Sequence, residues 1–202
     1  MRKPSNPPAG RHRALPQQVR LIGGQWRRTL LPVLHRPGLR PTPDRVRETL
    51  FNWLGQDLGG WRVVDAFAGT GALGLEAASR GAADVLLVEQ DGALVTNLRA
   101  LQDRLAAATV RVQRGDGVAA LGALAPASVD LVLLDPPFET QALFAPALAA
   151  AARAVRPGGF IYLEAPLRWD DGALDAVGLA AHRRLHAGAV HAHLLVRPAP
   201  SA

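Results

Sequence analysis

No cysteine occurs among the 202 residues of this chain. Disulfides and thiolate metal sites are therefore excluded. No apolar run reaches the ~18 residues that a membrane-crossing helix needs. The first residues are polar and basic and lack the apolar stretch of a secretory signal. These absences point to a cytoplasmic protein with no membrane contact. The chain has one Tyr and one Lys, Tyr162 and Lys3. Acidic residues are missing from positions 1–43, which hold nine Lys and Arg. Residues 44–202 hold fourteen basic and seventeen acidic residues, so the net +6 comes from a basic arm on a mildly acidic body. Charge placed in this way suits a polyanion, most simply nucleic acid; a solvated tail explains it equally well.

The length accommodates one sizeable domain with a small appendage. Its organising stretch is Val63 to Gly74, where a β-branched pair runs into Asp65, then Phe67, then a turn with Gly69 and Gly71, then small residues to Arg80. This reads as strand, glycine-rich turn and helix. The two glycines permit unusual backbone angles and leave room for a ligand against the main chain. Free amides at the helix start can hold a polar or anionic group. A second strand, 84–89, ends in Glu89, where an α/β nucleoside site would hold a ribose. Gly69 to Gly74 fits G-x-G-x-x-G, and that pattern suits NAD as well as S-adenosylmethionine.

Further strands are expected at 62–66, 109–113, 129–134 and 158–164, with helices at about 72–80, 91–105, 117–124 and 140–154. Such alternation implies an α/β fold with a mostly parallel, doubly wound sheet. Asp65, Glu89, Asp116 and Asp135 then gather at or beyond strand carboxyl ends, the edge where such sheets bind ligands. Residues 179–186 and 189–197 form an antiparallel hairpin. His186, His191 and His193 on it invite a metal, but no further ligand keeps metal spacing with them, so a strand face explains them better.

Upstream, 1–18 reads as a disordered basic tail. Val19–Ile22 and Gln25–Val33, joined by Gly23-Gly24, form a small hairpin that carries Arg20, Trp26, Arg27 and Arg28. Arg with an aromatic suits RNA, where one meets phosphate and the other stacks on a base. Equally, Trp26 can anchor the hairpin to the body. A helix follows to about Leu54, with Thr42 as its cap, Pro43 at the first helical position and Asp44 complementing the dipole. The chain thus divides into a tail (1–18), a hairpin and helix (19–55) and a ligand-binding domain (56–202).

The chemistry-bearing run is Asp135-Pro136-Pro137-Phe138, at the end of a buried strand. Two prolines remove two N–H donors and stiffen the turn. Asp135 and the free carbonyls are left as acceptors, with a flat ring beside them. Acceptors plus a ring suit a planar amine on an aromatic base. Alone, the run also fits a simple strand stop; beside the 65–74 loop and Glu89, catalysis explains more.

Asp65 to Gly74, Glu89 and Asp135 to Phe138 together resemble class I S-adenosylmethionine-dependent methyltransferases of exocyclic amines. Arg20-Leu21-Ile22-Gly23-Gly24-Gln25-Trp26-Arg27 and Leu39 to Leu54 resemble, more narrowly, the RsmD family of bacterial enzymes that methylate guanine N2 in 16S ribosomal RNA. The likeness spans residues 19–165 and extends weakly beyond. It implies a seven-stranded Rossmann-like sheet, S-adenosylmethionine and no metal. It also implies 16S ribosomal RNA, within the 30S subunit or an assembly intermediate, as partner, with no obligate protein partner. By position, Asp65, Phe67, Gly69 and Gly71 would hold the cofactor's methionine portion, Glu89 its ribose and Asp116 its adenine. Thr42, Asp44, Arg45 and Glu48 would close the site. Asp135, Pro136, Pro137 and Phe138 would hold the target amine, and Arg20, Trp26, Arg27, Arg28 and Arg40 the RNA. Family members often continue the hairpin with more basic residues, whereas Thr29-Leu30-Leu31 stands here, leaving more to Arg27 and Arg28. Adenine N6 or a protein glutamine amide fits the Asp-Pro-Pro-Phe run equally. An NAD-dependent oxidoreductase would leave that run unexplained, and the lone Tyr162 and Lys3 cannot supply a Tyr-x-x-x-Lys pair.

Overall fold

Short aliphatic runs that end in acids build a seven-stranded sheet in the computed structural model, which describes residues 18–36 and 42–199. Arg40 and all but the last residue of the expected tail lie outside these. The sheet strands are β3 (Arg62–Asp65), β4 (Asp84–Glu89), β5 (Val110–Arg114), β6 (Val129–Leu134), β7 (Val155–Ala165), β8 (Ala180–Ala187) and β9 (Val190–Val196). The spatial order is β5-β4-β3-β6-β7-β9-β8. Strands β3 to β7 run parallel, and the β8–β9 hairpin closes one edge antiparallel. Chain order reverses direction at β3, whose neighbours are β4 on one side and β6 on the other. That switch point opens a crevice beyond the strands' carboxyl ends.

Helices α2 (Ala72–Ser79), α3 (Gly92–Arg104), α4 (Gly117–Ala123), α5 (Phe144–Ala154) and the short α6 (Asp171–Asp175) connect the strands. Asp91, Asp116 and Asp170 cap α3, α4 and α6 through bonds to first-turn amides. Two apolar clusters cover the sheet, one on each face. The central β6 (Val-Asp-Leu-Val-Leu-Leu) is buried along its whole length, as a strand sandwiched between helix layers must be. The expected helix 140–154 begins instead with a 3-10 turn over Gln141–Leu143 before α5. Strand β7 begins three residues earlier than expected, with a register shift in its pairing with β6.

The upstream segment packs into the same core. Strands β1 (Gln18–Arg20) and β2 (Leu30–Pro32) pair antiparallel, and α1 spans Asp44–Leu54. Leu21, Leu31, Val46, Leu50 and Phe51 join Leu75 and Leu87 in one cluster. The hairpin is shorter in strand and longer in turn than the alternation predicts. The reason lies in α2: Glu76 accepts the Ile22 and Gly23 amides at 2.8 and 2.7 Å, and Ser79 accepts the Trp26 amide at 2.9 Å. Loop backbone that would have laddered across a hairpin is bound to a helix end instead. Gly24, with φ +72°, sits so close that a Cβ would fall 1.8 Å from the Ser79 carbonyl oxygen. Of the two readings of Trp26, the structure shows packing: the half-buried ring lies against the core cluster.

Glu76 is also the partner of Arg47. Both are fully buried and lie 3.6 Å apart. Arg47 donates further to the Arg20 carbonyl, Thr42 carbonyl and Asp44 carboxylate. Arg80 completes the group, bonding Glu76 at 2.9 Å. Removing one member would strand a buried charge, so the hairpin, α1 and α2 are tied as a unit.

Candidate active site

The crevice at the switch point is a cavity of about 760 Å³. Each wall comes from a strand end. Asp65 ends β3 and the 66–70 loop follows it; Glu89 ends β4; Asp116 follows β5; Asp135 to Phe138 follow β6. Thr42, Pro43 and Arg45 close one side at the entry to α1, and the 187–190 turn of the β8–β9 hairpin closes another. The structure therefore brings together Asp65, Phe67, Gly69, Glu89, Asp116, Thr42, Arg45, Asp135, Pro136, Pro137 and Phe138.

Gly71 is not among the lining residues. With φ +80° it starts α2, and a Cβ there would meet Leu98 and Leu75 at 2.7 and 2.9 Å. The turn and the close packing both call for glycine here. Thr42 does not cap α1. Pro43 occupies the N-cap position, Asp44 is the first helical residue, and no side chain caps the helix. The Thr42 hydroxyl instead donates to buried Glu164 at 2.8 Å. Asp44 is engaged with Arg20 and Arg47, and Glu48 is exposed and does not line the cavity. Arg27 and Arg28 are exposed on the hairpin loop, which docks at the Ser79 end of α2. Ala72, at the other end of α2, lines the cavity, which puts the loop roughly 10 Å away at 1.5 Å per residue.

The carboxylates are differently placed. Glu89 accepts the Gly69 amide on one oxygen and the Asp91 amide on the other, at 2.9 and 2.8 Å. Each oxygen keeps a lone pair for a ligand hydroxyl. Asp65 is buried; its Oδ2 accepts the Gly74 amide at 2.9 Å, while Oδ1 has no hydrogen-bond partner. The α2 amide expected to be free for a ligand is thus partly committed to Asp65. Burial pushes the Asp65 carboxyl up to about 7, against the pull of the Gly74 and Phe67 amides, and the charges of Glu89 and Glu164 add to the rise. Asp65 lines the cavity, and a cationic group bound beside it would restore its ionised form.

Asp135 is half-buried and faces the cavity. Desolvation raises its pKa well above the ordinary carboxylate value, and the charges of Glu164 and Asp65 reinforce it. Phe138 is half-buried, with its ring 6.5 Å from that of Phe144 and tilted 48° to it. The ring is therefore backed by the core while one side remains at the cavity.

Three functional features escape a reading of the sequence. Glu164, near the end of β7, lines the cavity and is 3% exposed. Its position at the end of the expected strand 158–164 was the available signal, the same one that marks the other four acids. Arg36 pairs with Asp91 at 3.1 Å, and both line the cavity. No local pattern links residues so far apart. The hairpin turn at 187–190 reaches the site only because β9 pairs with β7. The histidines behave as a strand face: His186 and His191 stack at 4.3 Å, and buried His193 accepts the Trp169 amide. Among the described residues no group of three or more His, Cys, Asp or Glu is placed to hold a metal.

A parallel sheet closed by one antiparallel hairpin, with a glycine loop and a row of acids at its switch point, defines a Rossmann-like fold of the class I methyltransferases. Solved structures agree. The Escherichia coli protein yhhF superposes with a TM-score of 0.76 at 35% identity, covering 90% of this chain and 98% of that one. A Haemophilus influenzae structure gives 0.74 at 28%, covering 90% and 99%. Among curated proteins, Ribosomal RNA small subunit methyltransferase D of Escherichia coli strain K12 is 46% identical over 138 residues, 68% of this chain and 66% of that protein. Its Haemophilus influenzae namesake is 38% identical over 151 residues, 73% and 78% of the two chains. Residues 19–196 match the family described as Conserved hypothetical protein 95. The chain belongs to this family, and the likeness to the RsmD enzymes drawn from residues 19–165 is borne out.

Proposed function

We propose that this protein methylates the exocyclic N2 amine of a guanine in 16S ribosomal RNA, with S-adenosylmethionine as donor. The observation that carries the reading is the juxtaposition in one cavity of the Gly69 loop, buried Asp65 and the acceptor run Asp135 to Phe138. The names of the relatives, ribosomal RNA methyltransferases, support the substrate class.

When bound, S-adenosylmethionine supplies a methyl group made electrophilic by its sulfonium. Asp65 and the Gly69 backbone hold the methionine portion, the free lone pairs of Glu89 take the ribose hydroxyls, and Asp116 takes the adenine amine. Asp135 and the Pro136 carbonyl accept the two hydrogens of the target amine, and Phe138 stacks on its ring. An aryl amine is a poor nucleophile because its lone pair is delocalised. Two acceptors on its hydrogens return electron density to nitrogen, and the stacked ring fixes the angle of attack. Prolines 136 and 137 contribute stiffness, so the acceptors need not reorganise. Thr42 and Arg45 close the site from the α1 side.

Guanine N2 is out of reach inside a duplex, so the target is a loop guanine or one first unstacked. Arg20, Arg27, Arg28 and Arg40 hold the flanking phosphates, and Trp26 supports the loop that presents Arg27 and Arg28. RNA already folded on ribosomal proteins, in a 30S particle or an assembly intermediate, presents such a base, which places the enzyme in the cytoplasm. The test incubates labelled S-adenosylmethionine with naked 16S RNA, 30S particles and DNA, then digests to nucleosides. Label in N2-methylguanosine from the ribosomal RNA is expected. Label in N6-methyladenosine, or only in protein, would refute the guanine assignment.

A further inference from the structure

Glu164 has no part in the reading above, yet it is, with Asp65, one of two buried acids that line the cavity. Parallel β6 and β7 pair Leu134 with Leu163. Continuing that register by one residue sets Asp135 beside Glu164, and both line the same cavity. Glu164 Oε1 accepts two hydroxyls, Thr42 at 2.8 Å and Tyr162 at 2.9 Å. Two O–H donors on one oxygen favour the ionised carboxylate. The hydroxyl of buried Tyr162, on β7, has Glu164 as its hydrogen-bond partner among the described residues.

We propose that Glu164, held as a carboxylate by Thr42 and Tyr162, is a positioning residue that makes Asp135 the proton acceptor of the reaction. This rests on the reading of Asp135 as the group that faces the target amine. The amine's lone pair forms the new N–C bond, and the C–S bond breaks with its pair going to sulfur. The nitrogen then carries one proton too many, and Asp135 takes it, passing from carboxylate to carboxylic acid before losing it to water at the open side of the cavity. Any carboxylate can take that proton once the N–C bond has formed, and a more basic one begins to take it earlier, in the transition state. A neighbouring fixed negative charge increases Asp135's affinity for it and brings its pKa toward the working pH. The groups facing the pair are Asp65 at the end of β3, Tyr162 on β7 and Arg47 on α1. Asp65 adds to the effect on Asp135; burial raises the Glu164 pKa, while the Thr42 and Tyr162 hydroxyls and Arg47 pull against that rise and favour its anion. Tyr162, held up by burial and by the Glu164 charge, stays a phenol and a donor.

The test is a carbon-13 NMR titration of aspartate carboxyls in the full chain without added cofactor, with Asp135→Asn used to assign the Asp135 signal. Glu164→Gln should lower the proton affinity of Asp135 by about tenfold or more, the usual consequence of removing an adjacent like charge. The acidic limb of kcat for methyl transfer should move to lower pH with it. Tyr162→Phe keeps the shape of the core while removing one donor from Glu164. That anion is then less favoured, and the Asp135 midpoint should fall in the same direction. A merely structural Glu164 would alter thermal stability and leave the midpoint in place. An unmoved Asp135 midpoint in folded Glu164→Gln overturns the proposal; should that variant fail to fold, an unmoved midpoint in Tyr162→Phe overturns it. Because the titration needs no turnover, it stands apart from any failure of the methyltransferase reading.

Discussion

Replacing Asp65 by Asn should stabilise the free protein at alkaline pH while abolishing what the residue is there to do. In the folded chain the Asp65 carboxyl titrates at about 7, against an ordinary 3.8. Below about pH 4 both folded and unfolded states hold the proton. As pH rises the unfolded chain releases it first, so the native state loses stability continuously until the folded carboxyl ionises. At about 1.4 kcal/mol per pH unit, the whole interval costs roughly 4 kcal/mol. Between pH 5 and pH 8 the share lost is about 3 kcal/mol, less where water reaches the carboxylate. Asn does not titrate and can still accept the Gly74 amide that Asp65 Oδ2 now accepts at 2.9 Å. Its new N–H₂ adds a constant offset that does not change with pH. Urea unfolding of both proteins without cofactor, at several values between pH 5 and pH 8, measures the difference directly. The variant should gain steadily on the wild type up to about pH 7 and level off above it. With Asp65 in the proposed role of holding the ligand's ammonium, the order should reverse when S-adenosylmethionine is present at pH 8, because only the wild type has the anion. A stability difference that is flat across the range would refute the assignment of a buried, costly carboxylate.

Cofactor affinity of the wild type should fall as pH drops through about 7, since Asp65 must be ionised to hold a cation; calorimetry across pH 6 to 8 reads this. Glu76→Ala should cost on the order of 3–5 kcal/mol, because it removes the buried one of Arg47's two counter-charges and the acceptor of the Ile22 and Gly23 amides, and should expose the 21–29 loop to protease. Gly117→Ala places a Cβ 2.1 Å from the Ala66 carbonyl oxygen at the cavity rim. Backbone cannot swing aside as a side chain can, so a melting-temperature loss equivalent to about 1–3 kcal/mol or more is expected, with weaker cofactor binding. Neutralising Arg27 and Arg28 together should flatten the salt dependence of RNA binding, by roughly 0.7 to 0.9 in log–log slope for each phosphate that the variant no longer neutralises. An unchanged slope would assign both side chains to the solvent.

Much of the catalytic edge is written locally. A β-branched run, an acid and two glycines specify strand, turn and helix wherever they occur, because periodicity and backbone freedom act over a few residues. Asp65, Glu89, Asp116 and Asp135 were therefore visible as strand-end acids, and the turn at Asp135 as a rigid set of acceptors. The alternation of strands and helices sufficed for a parallel sheet, and a parallel sheet already says at which edge a ligand sits. What the tertiary structure alone decided depends on pairs distant in the chain. Thr42 was spent on Glu164, 122 residues away, rather than on its own helix. Gly71 turned out to serve packing against Leu98, and Trp26 to sit on the core. Arg47 and Glu76 look like ordinary surface charges on helices until packing removes the water from both. The proton affinities of Asp65 and Asp135 follow the same logic. Side-chain identity can be read from the sequence, but desolvation and the nearness of a second carboxylate exist only once β3, β6 and β7 lie side by side.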